Sequence, residues 1–328
     1  MRAIEATAPG GPEVLTYVTL PDPTAGPGQL LVNVAAAGVN FIDTYRRSGI
    51  YPVPFPHVVG AEGAGTVVAV GSGDLFGFAV GDRVAWSDSP GSYAELAVVD
   101  AARALAVPAG VSDHVAAALP LQGLTAHYLV SSVFPVSAGQ DVLVHAGAGG
   151  VGLLLTQLAV ARGARVITTV STPEKEALSR AAGASDVVRY TELTDLTREL
   201  PAIVRELTGG AGVHTVFDSV GRTTFDGSLA SLRRRGAMVL FGGSSGQVPP
   251  VDPQRLNAGG SLFLTRPKLD DYSRTREELA WRAGELFEAV AAGTLDVRIG
   301  AEYPLPEAAE AHRALEGRRT TGKVLLIP

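Results

Sequence analysis

The sequence contains no cysteine among its 328 residues. This absence excludes disulfide bonds, a thiolate nucleophile and any zinc site built on cysteine ligands. Histidine is scarce as well, and the six histidines are scattered along the chain without the spacing of metal ligands. None of them combines with a serine and an acid in a recognisable catalytic order. The composition therefore predicts a protein without a metal centre and without cysteine chemistry.

Long apolar runs and an excess of positive charge are also missing. No apolar run is long enough to cross a bilayer, and the first residues, MRAIEATAPGG, contain no apolar signal region. The formal net charge of -6 argues against a surface that coats nucleic acid. We therefore expect a cytoplasmic protein. Its length indicates two domains, since single domains usually have about 100–200 residues.

A glycine-rich segment in the middle of the chain has the order of a nucleotide-binding unit. The sequence predicts a buried strand over 141–145, a tight turn, a helix over 151–162 and a second strand over 164–170. This is the context that a dinucleotide fingerprint requires. Strands continue to alternate with helices as far as Pro267, and one of these predicted helices covers residues 224–232. We therefore expect a Rossmann-type, doubly wound parallel sheet of the α/β class.

The turn carries the G-x-G-x-x-G spacing at Gly147, Gly149 and Gly152. Glycine lets the backbone approach a pyrophosphate without a Cβ atom in the way. The start of the helix, at Gly150 and Val151, offers free N–H groups to the phosphates. The turn is therefore predicted to bind a dinucleotide. The alternative is that these glycines only pack the strand against the helix.

The end of the second strand indicates which dinucleotide binds. NAD-binding units usually have an acidic residue there, which holds the 2′-hydroxyl of the ribose. This chain has Ser171, and Lys175 follows in the first turn of the next predicted helix. A hydroxyl and an ammonium group suit a 2′-phosphate, so the sequence favours NADPH. The opposing charge, Glu174, is expected to face solvent, and the alternative is that Lys175 is an ordinary exposed charge.

The regions on either side of this unit differ in periodicity. Short β-prone runs separated by Pro/Gly turns fill residues 2–100, a pattern typical of a barrel or a sandwich. Within them, the polar and aromatic stretch Gly38–Tyr51 is expected to form a functional loop with a short helix. The tail predicts a helix over 272–292, another over 306–316 and a strand over 323–327.

Eight motifs in sequence carry a family resemblance: GGPEVL, GVNFIDTY, AEGAG, GDRV, HAGAGGVG, DSVG, LTRP and TTGKVLLIP. With them the chain resembles, over its whole length, the zinc-independent, zeta-crystallin-like quinone oxidoreductases of the medium-chain dehydrogenase/reductase superfamily. The resemblance implies a GroES-like β-barrel catalytic domain over 1–123 and an NADPH-binding Rossmann domain over 124–267. It also implies a segment, 268–328, that returns to the catalytic domain. A homodimer is implied too, paired edge to edge through a strand at Ser261–Thr265.

Departures from the zinc-dependent relatives are informative. The chain has Asn40 where those relatives have a metal-binding cysteine, and Ala61-Glu62 where they have a His-Glu pair. Glu62 alone cannot hold zinc, so the resemblance implies a reaction without a Lewis acid. The chain also has Gln122 where close relatives often have lysine, which removes one positive charge from the neighbourhood of the nicotinamide.

The resemblance assigns site residues position by position. It places Asn40, Tyr45 and Thr125 around the nicotinamide end of the cofactor. It assigns the adenosine 2′-phosphate and its surroundings to Ser171, Lys175, Tyr190 and Arg318. The strand-end loops that flank the cofactor contain Val220, Ser244, Ser245, Gly246, Thr265, Arg266 and Pro267. As alternatives, Tyr190 packs on a helix and Arg318 is a solvated charge.

The implied activity is transfer of hydride or electrons from NADPH to a quinone in the cleft between the two domains. We predict that Asn40 donates an amide hydrogen to the acceptor oxygen and that Tyr45 and Tyr51 line the pocket. The alternatives are that Asn40 caps a turn and that Tyr51 only packs its loop.

Two other functions stay open at this stage. An NADPH-dependent reductase of the C=C bond in an enone or alkenal would need the same cofactor site. A non-enzymatic NADPH-binding or RNA-binding protein is a further alternative, against which the acidic charge balance argues.

Overall fold

The computed structural model describes all 328 residues. Its sixteen strands are, in chain order, β1 (Arg2–Ala6), β2 (Leu15–Thr19), β3 (Gln29–Val39), β4 (His57–Val58), β5 (Glu62–Val70), β6 (Arg83–Trp86), β7 (Leu96–Asp100), β8 (Leu105–Ala106), β9 (Asp141–Val144), β10 (Arg165–Val170), β11 (Asp186–Arg189), β12 (Val213–Asp218), β13 (Leu232–Leu240), β14 (Phe263–Thr265), β15 (Ile299–Pro304) and β16 (Lys323–Ile327).

The ten α-helices are α1 (Phe41–Arg47), α2 (Asp113–Ala118), α3 (Pro120–Tyr128), α4 (Gly150–Ala161), α5 (Pro173–Ala181), α6 (Leu196–Leu207), α7 (Phe225–Ala230), α8 (Gln254–Ala258), α9 (Arg276–Ala291) and α10 (Ala308–Glu316). None of them combines the length and the apolar character that crossing a bilayer requires.

The chain divides into two compact units. One contains Met1–Leu124 and Thr275–Pro328, and the other contains Thr125–Arg274. The sequence placed the second boundary at residue 267. The segment beyond that point stays with the nucleotide-binding unit, because the ring of Tyr272 stacks on the ring of Tyr128 with centroids 4.7 Å apart.

The unit Thr125–Arg274 is built on a six-stranded sheet in the order β11-β10-β9-β12-β13-β14. All five neighbouring pairs are parallel. This strand order, 3-2-1-4-5-6 within the unit, is that of a Rossmann fold. The order in which strands are added to the sheet reverses between β9 and β12, although the strands themselves stay parallel. The predicted doubly wound sheet is therefore confirmed.

The other unit contains a seven-stranded sheet, in which β15-β16-β3-β5-β6-β8 follow one another and β7 also pairs with β3, and a three-stranded sheet β2-β1-β4. Its core joins side chains from both sequence segments, such as Trp86, Leu305 and Leu326. The strand β16 lies beside the end of β3, with Val324 opposite Val39. This pairing brings the tail of the chain next to the start of α1.

Several element boundaries differ from the sequence prediction. The helix expected over 224–232 ends at Ala230, because Leu232 already pairs with Val213 as the first residue of β13. The helix expected from residue 272 begins at Arg276, since the Thr275 hydroxyl accepts a hydrogen bond from the Glu278 N–H at 3.2 Å and so fixes the start of α9. The strands β2, β4, β8 and β15 were not predicted as separate strands.

Candidate active site

One edge of the six-stranded sheet brings together most of the residues that the sequence assigned to the cofactor. The strands are all parallel, so the loops that follow them emerge at the same carboxyl edge, where open α/β sheets bind ligands. The assigned residues on these loops are Gly147, Gly149, Gly150, Val151, Gly152, Ser171, Lys175, Tyr190, Val220, Ser244, Ser245, Gly246, Thr265, Arg266 and Pro267. Thr125 lies in α3 and is buried.

The three glycines of the fingerprint have different reasons to be glycine. A Cβ on Gly152 would stand 2.2 Å from the carbonyl oxygen of Ala146, and one on Gly147 would stand 2.6 Å from Cβ of Thr168. Both positions therefore need glycine for packing within the protein. A Cβ on Gly149 would meet the Ala146 oxygen at 3.2 Å and no other atom closer than 4.0 Å. A Cβ at 149 would thus make one tight contact, and the steric demand for glycine is weaker there than at 147 and 152.

The helix that follows the turn begins without a side-chain cap. Gly149 is the N-cap residue of α4, and no side chain accepts a hydrogen bond from its first turn. By contrast, Thr172 caps α5 and Asp195 caps α6. The first N–H groups of an α-helix have no partner within the helix. The start of α4, at Gly150–Gly152, can therefore offer its N–H groups and the positive end of the helix dipole to an anion.

Ser171, Lys175 and Tyr190 lie at the ends of two neighbouring strands. Ser171 directly follows β10, and Lys175 is in the first turn of α5. Tyr190 begins a 3₁₀ turn after β11, and this turn is tied to β10 by the Thr191 hydroxyl, which donates to the Ser171 carbonyl at 2.7 Å. Glu174 is exposed, as expected. The sequence assigned these three residues to the 2′-phosphate and its surroundings.

Val220 and Ser245 connect two further loops at this edge. The Val220 carbonyl accepts hydrogen bonds from the Ser245 N–H at 2.8 Å and from its hydroxyl at 2.7 Å. The carboxylate of Asp218, at the end of β12, accepts from the N–H groups of Val220 at 2.7 Å and Gly221 at 3.0 Å. Asp218 therefore holds the loop that carries Val220, and Val220 holds the loop that carries Ser245.

His145 belongs to a buried network beneath these loops. Its Nε2 lies 2.8 Å from the Ser228 hydroxyl, which donates to Asp218 at 2.8 Å, and its Nδ1 lies 2.9 Å from the Thr169 hydroxyl. Since the Ser228 hydrogen goes to Asp218, His145 carries its hydrogen on Nε2 and accepts at Nδ1. Burial lowers the pKa of His145, which keeps the ring neutral. His145 therefore supports the strand ends.

In the other unit, Asn40 lies at the start of α1 with its carboxamide enclosed. Its Nδ2 donates to Oε2 of Glu62 at 2.8 Å and to the carbonyl of Gly38 at 3.2 Å. Its Oδ1 accepts from Nζ of Lys323 at 2.7 Å. Lys323 also forms an ion pair with Glu62, whose Oε1 accepts from the Leu121 N–H at 2.7 Å. We call Asn40, Glu62 and Lys323 the amide clasp.

Tyr45 and Tyr51 form an aromatic surface beside α1. Their ring centroids are 5.4 Å apart in an edge-to-face arrangement, and Phe41 lies 6.1 Å from Tyr45 on the same face of the helix. The Tyr51 N–H donates to the Tyr45 carbonyl at 3.0 Å. Tyr51 is 40% exposed and Ile50 52% exposed. A flat apolar molecule would find a complementary surface here.

A buried chain of hydrogen bonds supports α1 from below. The carboxylate of Asp43 accepts from the Asn40 backbone N–H at 2.9 Å and from the Tyr93 hydroxyl at 3.0 Å. Tyr93 in turn lies 3.2 Å from Nε2 of His312, and Arg47 pairs with Glu316 at 2.7 Å. Burial raises the pKa of Asp43 to about 6 and lowers the pKa of His312 to about 3.

Arg318 lies in the same unit as Asn40, after α10, and is exposed. Its backbone has a positive φ of 56°. Arg318 thus belongs to one unit, whereas Ser171, Lys175 and Tyr190, which the sequence assigned to the same phosphate site, belong to the other.

Lys323 was not singled out from the sequence, and Glu62 was considered only as the remnant of a lost metal site. Both side chains are almost fully buried, at 1% and 0% exposure. The available signal was a single lysine before the apolar run VLLI of a predicted strand. No three side chains of His, Cys, Asp or Glu are grouped so that they could hold a metal ion.

Comparison with known proteins agrees with this geometry. Residues 26–109 match the family described as alcohol dehydrogenase GroES-like domain, and residues 150–275 match the family described as zinc-binding dehydrogenase. Quinone oxidoreductase 1 of Escherichia coli is 44% identical over 99% of both chains. The chain belongs to the quinone oxidoreductase family of the medium-chain dehydrogenases/reductases.

Two further members of this similarity group are informative. A mycobacterial protein whose structure contains NADPH is 54% identical, superimposes with a TM-score of 0.97 and covers all of both chains. A 2-haloacrylate reductase of a Burkholderia species is 40% identical over 97% of this chain and 96% of its own. The predicted GroES-like and Rossmann domains of a quinone oxidoreductase are thus confirmed.

Proposed function

We propose that this protein is an oxidoreductase that uses NADPH to reduce a quinone and does so without zinc. The observation that carries the proposal is the uncapped glycine turn at the carboxyl edge of a Rossmann sheet, combined with full-length similarity to quinone oxidoreductases and to an NADPH complex. NADPH supplies a hydride when bound, and the residues of this chain orient it and the acceptor.

The residues present fit NADPH. Gly149 presents no Cβ beside the N–H groups of Gly150–Gly152, and this combination suits the pyrophosphate. The hydroxyl of Ser171 and the ammonium of Lys175 would hold the 2′-phosphate, with Tyr190 and Arg318 near the adenosine. The remaining contacts are proposed for Thr125, Val220, Ser244, Ser245, Gly246, Thr265, Arg266 and Pro267.

For the acceptor, we retain Asn40 as a hydrogen-bond donor. Both amide hydrogens of Asn40 are donated within the protein, and the bond to Gly38 is the longer, at 3.2 Å against 2.8 Å for Glu62. An acceptor carbonyl would replace Gly38 as the partner. Tyr45 and Tyr51 would pack against the ring of the quinone. Reduction restores aromaticity, so this acceptor needs no stronger activation.

Zinc does not fit the site, although one matched family is named for it. The carboxylate of Glu62 already accepts from Lys323, Asn40 and the Leu121 N–H. A buried ammonium group therefore supplies the positive charge that pairs with Glu62, and the carboxamide of Asn40 is a poor zinc ligand.

Reduction of an activated C=C bond is a second candidate, which the similarity to 2-haloacrylate reductase favours. Such a reaction needs a proton donor for the α-carbon. We expect NADPH oxidation, followed optically, to be fast with 9,10-phenanthrenequinone and slow with a simple enone or 2-chloroacrylate. The reverse order would replace quinone reduction by C=C reduction, and no turnover with either would refute the proposed activity.

We also infer a cytoplasmic homodimer joined through β14. This strand is at the end of the sheet and pairs only with β13. Its residue Phe263 is 53% exposed, which is unusual for a large apolar side chain on a sheet edge. Pairing with β14 of a second copy would satisfy the unpaired backbone edge of this strand and would bury the side chain of Phe263.

A further inference from the structure

The amide clasp gives the carboxamide of Asn40 one orientation. Lys323 can only donate hydrogen bonds, and the carboxylate of Glu62 can only accept them. The Asn40 oxygen therefore faces Lys323, at 2.7 Å, and its nitrogen faces Glu62, at 2.8 Å. Rotating the amide by 180° would place its oxygen against a carboxylate and its nitrogen against an ammonium group. Both contacts would then be repulsive, in a site where low solvent access strengthens electrostatic interactions.

The surroundings are built to hold this ion pair close to Asn40. Glu62, Lys323 and Asn40 are exposed by only 0%, 1% and 4%. A Cβ on Gly38 would stand 2.3 Å from Oε2 of Glu62 and 2.6 Å from Cε of Lys323, so the glycine makes room for both. The Leu121 N–H fixes the second oxygen of Glu62. None of these groups can turn independently of the others.

We propose that Lys323 is a positioning residue, which together with Glu62 sets the Asn40 carboxamide so that an acceptor oxygen meets its N–H and never its C=O. This inference rests on the proposed reduction of a quinone carbonyl by this site. Lys323 acts through Asn40 and does not itself contact the acceptor. The proposal also defines the acceptor chemistry, because a fixed donor selects a molecule with an accepting oxygen.

A purely structural role makes a different prediction. If Lys323 only neutralises the buried charge of Glu62, then a variant that loses both charges together should keep the stability and the kcat of the wild type. Buried ion pairs can often be replaced by neutral groups without loss of stability. If Lys323 orients Asn40, the neutral pair should fold but remain impaired. The double variant E62Q/K323M separates these possibilities.

In E62Q/K323M the amide of Asn40 should turn. The glutamine introduced at position 62 can keep its oxygen on the Leu121 N–H and then presents its NH₂ group to Asn40, whereas the methionine introduced at position 323 offers no donor. We expect kcat with 9,10-phenanthrenequinone to fall by about 10-fold to 100-fold. The Tm and the fluorescence titration with NADPH should stay close to those of the wild type. A kcat equal to that of the wild type would overturn the proposal.

A mutant cycle tests the connection to Asn40 directly. N40A alone and the triple variant N40A/E62Q/K323M should have the same kcat, because Lys323 has no further effect once its target is removed. Multiplicative losses would show that Lys323 acts elsewhere and would refute the inference. If E62Q/K323M does not fold, K323M with and without N40A provides the same comparison.

The matched control is R282M. Arg282 is a cation of the same unit, 1% exposed and paired with Glu278 within α9, which contributes no residue to the amide clasp. Its loss should lower the Tm and leave kcat unchanged; an equal loss of kcat in R282M would assign the effect to general destabilisation. Wild-type enzyme that fails to oxidise NADPH with the quinone would refute the proposed function itself, before any variant is compared.

Discussion

Nη1 of Arg47 lies 3.0 Å from Nδ1 of His312, and both side chains are buried. A guanidinium group only donates, so Nδ1 of His312 accepts and its hydrogen is on Nε2. The Tyr93 oxygen then accepts from Nε2, and the Tyr93 hydroxyl donates to Asp43. In this series of hydrogen bonds, each group donates to the next, from the neutral ring of His312 through Tyr93 to the carboxyl group of Asp43.

The first prediction concerns pH. Burial and the charge of Arg47 lower the pKa of His312 from 6.5 to about 3. Between these pH values His312 binds a proton in the unfolded chain and not in the folded chain, so the stability of the fold decreases as the pH drops. The pKa of Asp43 is raised from 3.8 to about 6 by burial, so the folded chain holds the extra proton, and stability rises as the pH drops through this window. The two effects oppose each other between pH 3.8 and about 6.

Single variants should therefore expose opposite slopes. Relative to wild type, D43N should lose about 1.4 kcal/mol of stability for each pH unit of acidification in this window, and H312Q should gain about as much. Urea unfolding at several pH values measures both differences. Arg46, Arg47, Lys323 and Glu316 are unchanged in each comparison. Parallel profiles for the two variants would contradict the assigned protonation states.

The second prediction tests the 2′-phosphate site. K175A should weaken NADPH binding about 10-fold to 100-fold, because a charge-assisted hydrogen bond contributes about 1.5–3 kcal/mol. Its affinity for NADH should not change. Fluorescence titration with both dinucleotides measures the effect. R180A, on the same helix and paired with Glu176, is the matched control. An unchanged preference for NADPH in K175A would remove Lys175 from the site.

The third prediction separates the two uses of glycine in the fingerprint. G152A should be strongly destabilised, since its Cβ would stand 2.2 Å from a backbone oxygen that cannot move aside. G149A should fold and lose much less stability than G152A, because its backbone φ of -77° suits alanine and its one tight contact, with the Ala146 oxygen, is at 3.2 Å. We expect G149A to bind NADPH about 10-fold or more weakly. Thermal melting and titration give the two readouts, and normal NADPH binding by G149A would favour a packing role for the turn.

The fourth prediction concerns the edge strand β14. F263E should convert a dimer into a monomer, because a charge on a sheet edge opposes pairing with another strand. Sedimentation velocity measures the change. V80E is the control, since Val80 is 61% exposed and lies in the other unit. A dimer that persists in F263E would place the interface elsewhere.

Local patterns were sufficient to predict the nucleotide-binding unit. The strand, turn and helix around Gly147–Gly152 depend on neighbouring residues, so their spacing carried the information. Ser171 and Lys175 were identified from the same unit: Ser171 directly follows β10, and Lys175 lies in the first turn of α5. The edge strands β2, β4, β8 and β15 were missed, since pairing with a neighbouring strand decides their conformation more than their own residues do.

The amide clasp could not be predicted from local patterns. Lys323 and Glu62 are 261 residues apart in the chain, and they meet because β16 and β5 both pair with β3. The sequence identified Asn40 and Glu62 separately, one as a donor and the other as a relic of a metal site. Lys323, the cation that contacts both of them, precedes the apolar residues VLLI of β16, and this sequence is typical of an ordinary core strand.

The separation of Asn40 from Lys323, which is 283 residues, has a consequence for biosynthesis. At about 5–20 residues per second, a ribosome needs roughly 15–60 s to travel from one codon to the other. The Rossmann unit, which ends at Arg274, is synthesised during that interval, whereas Glu62 still lacks its counter-ion. The amide clasp can therefore close only after the nucleotide-binding unit has been translated, so its assembly is among the last steps in the maturation of the protein.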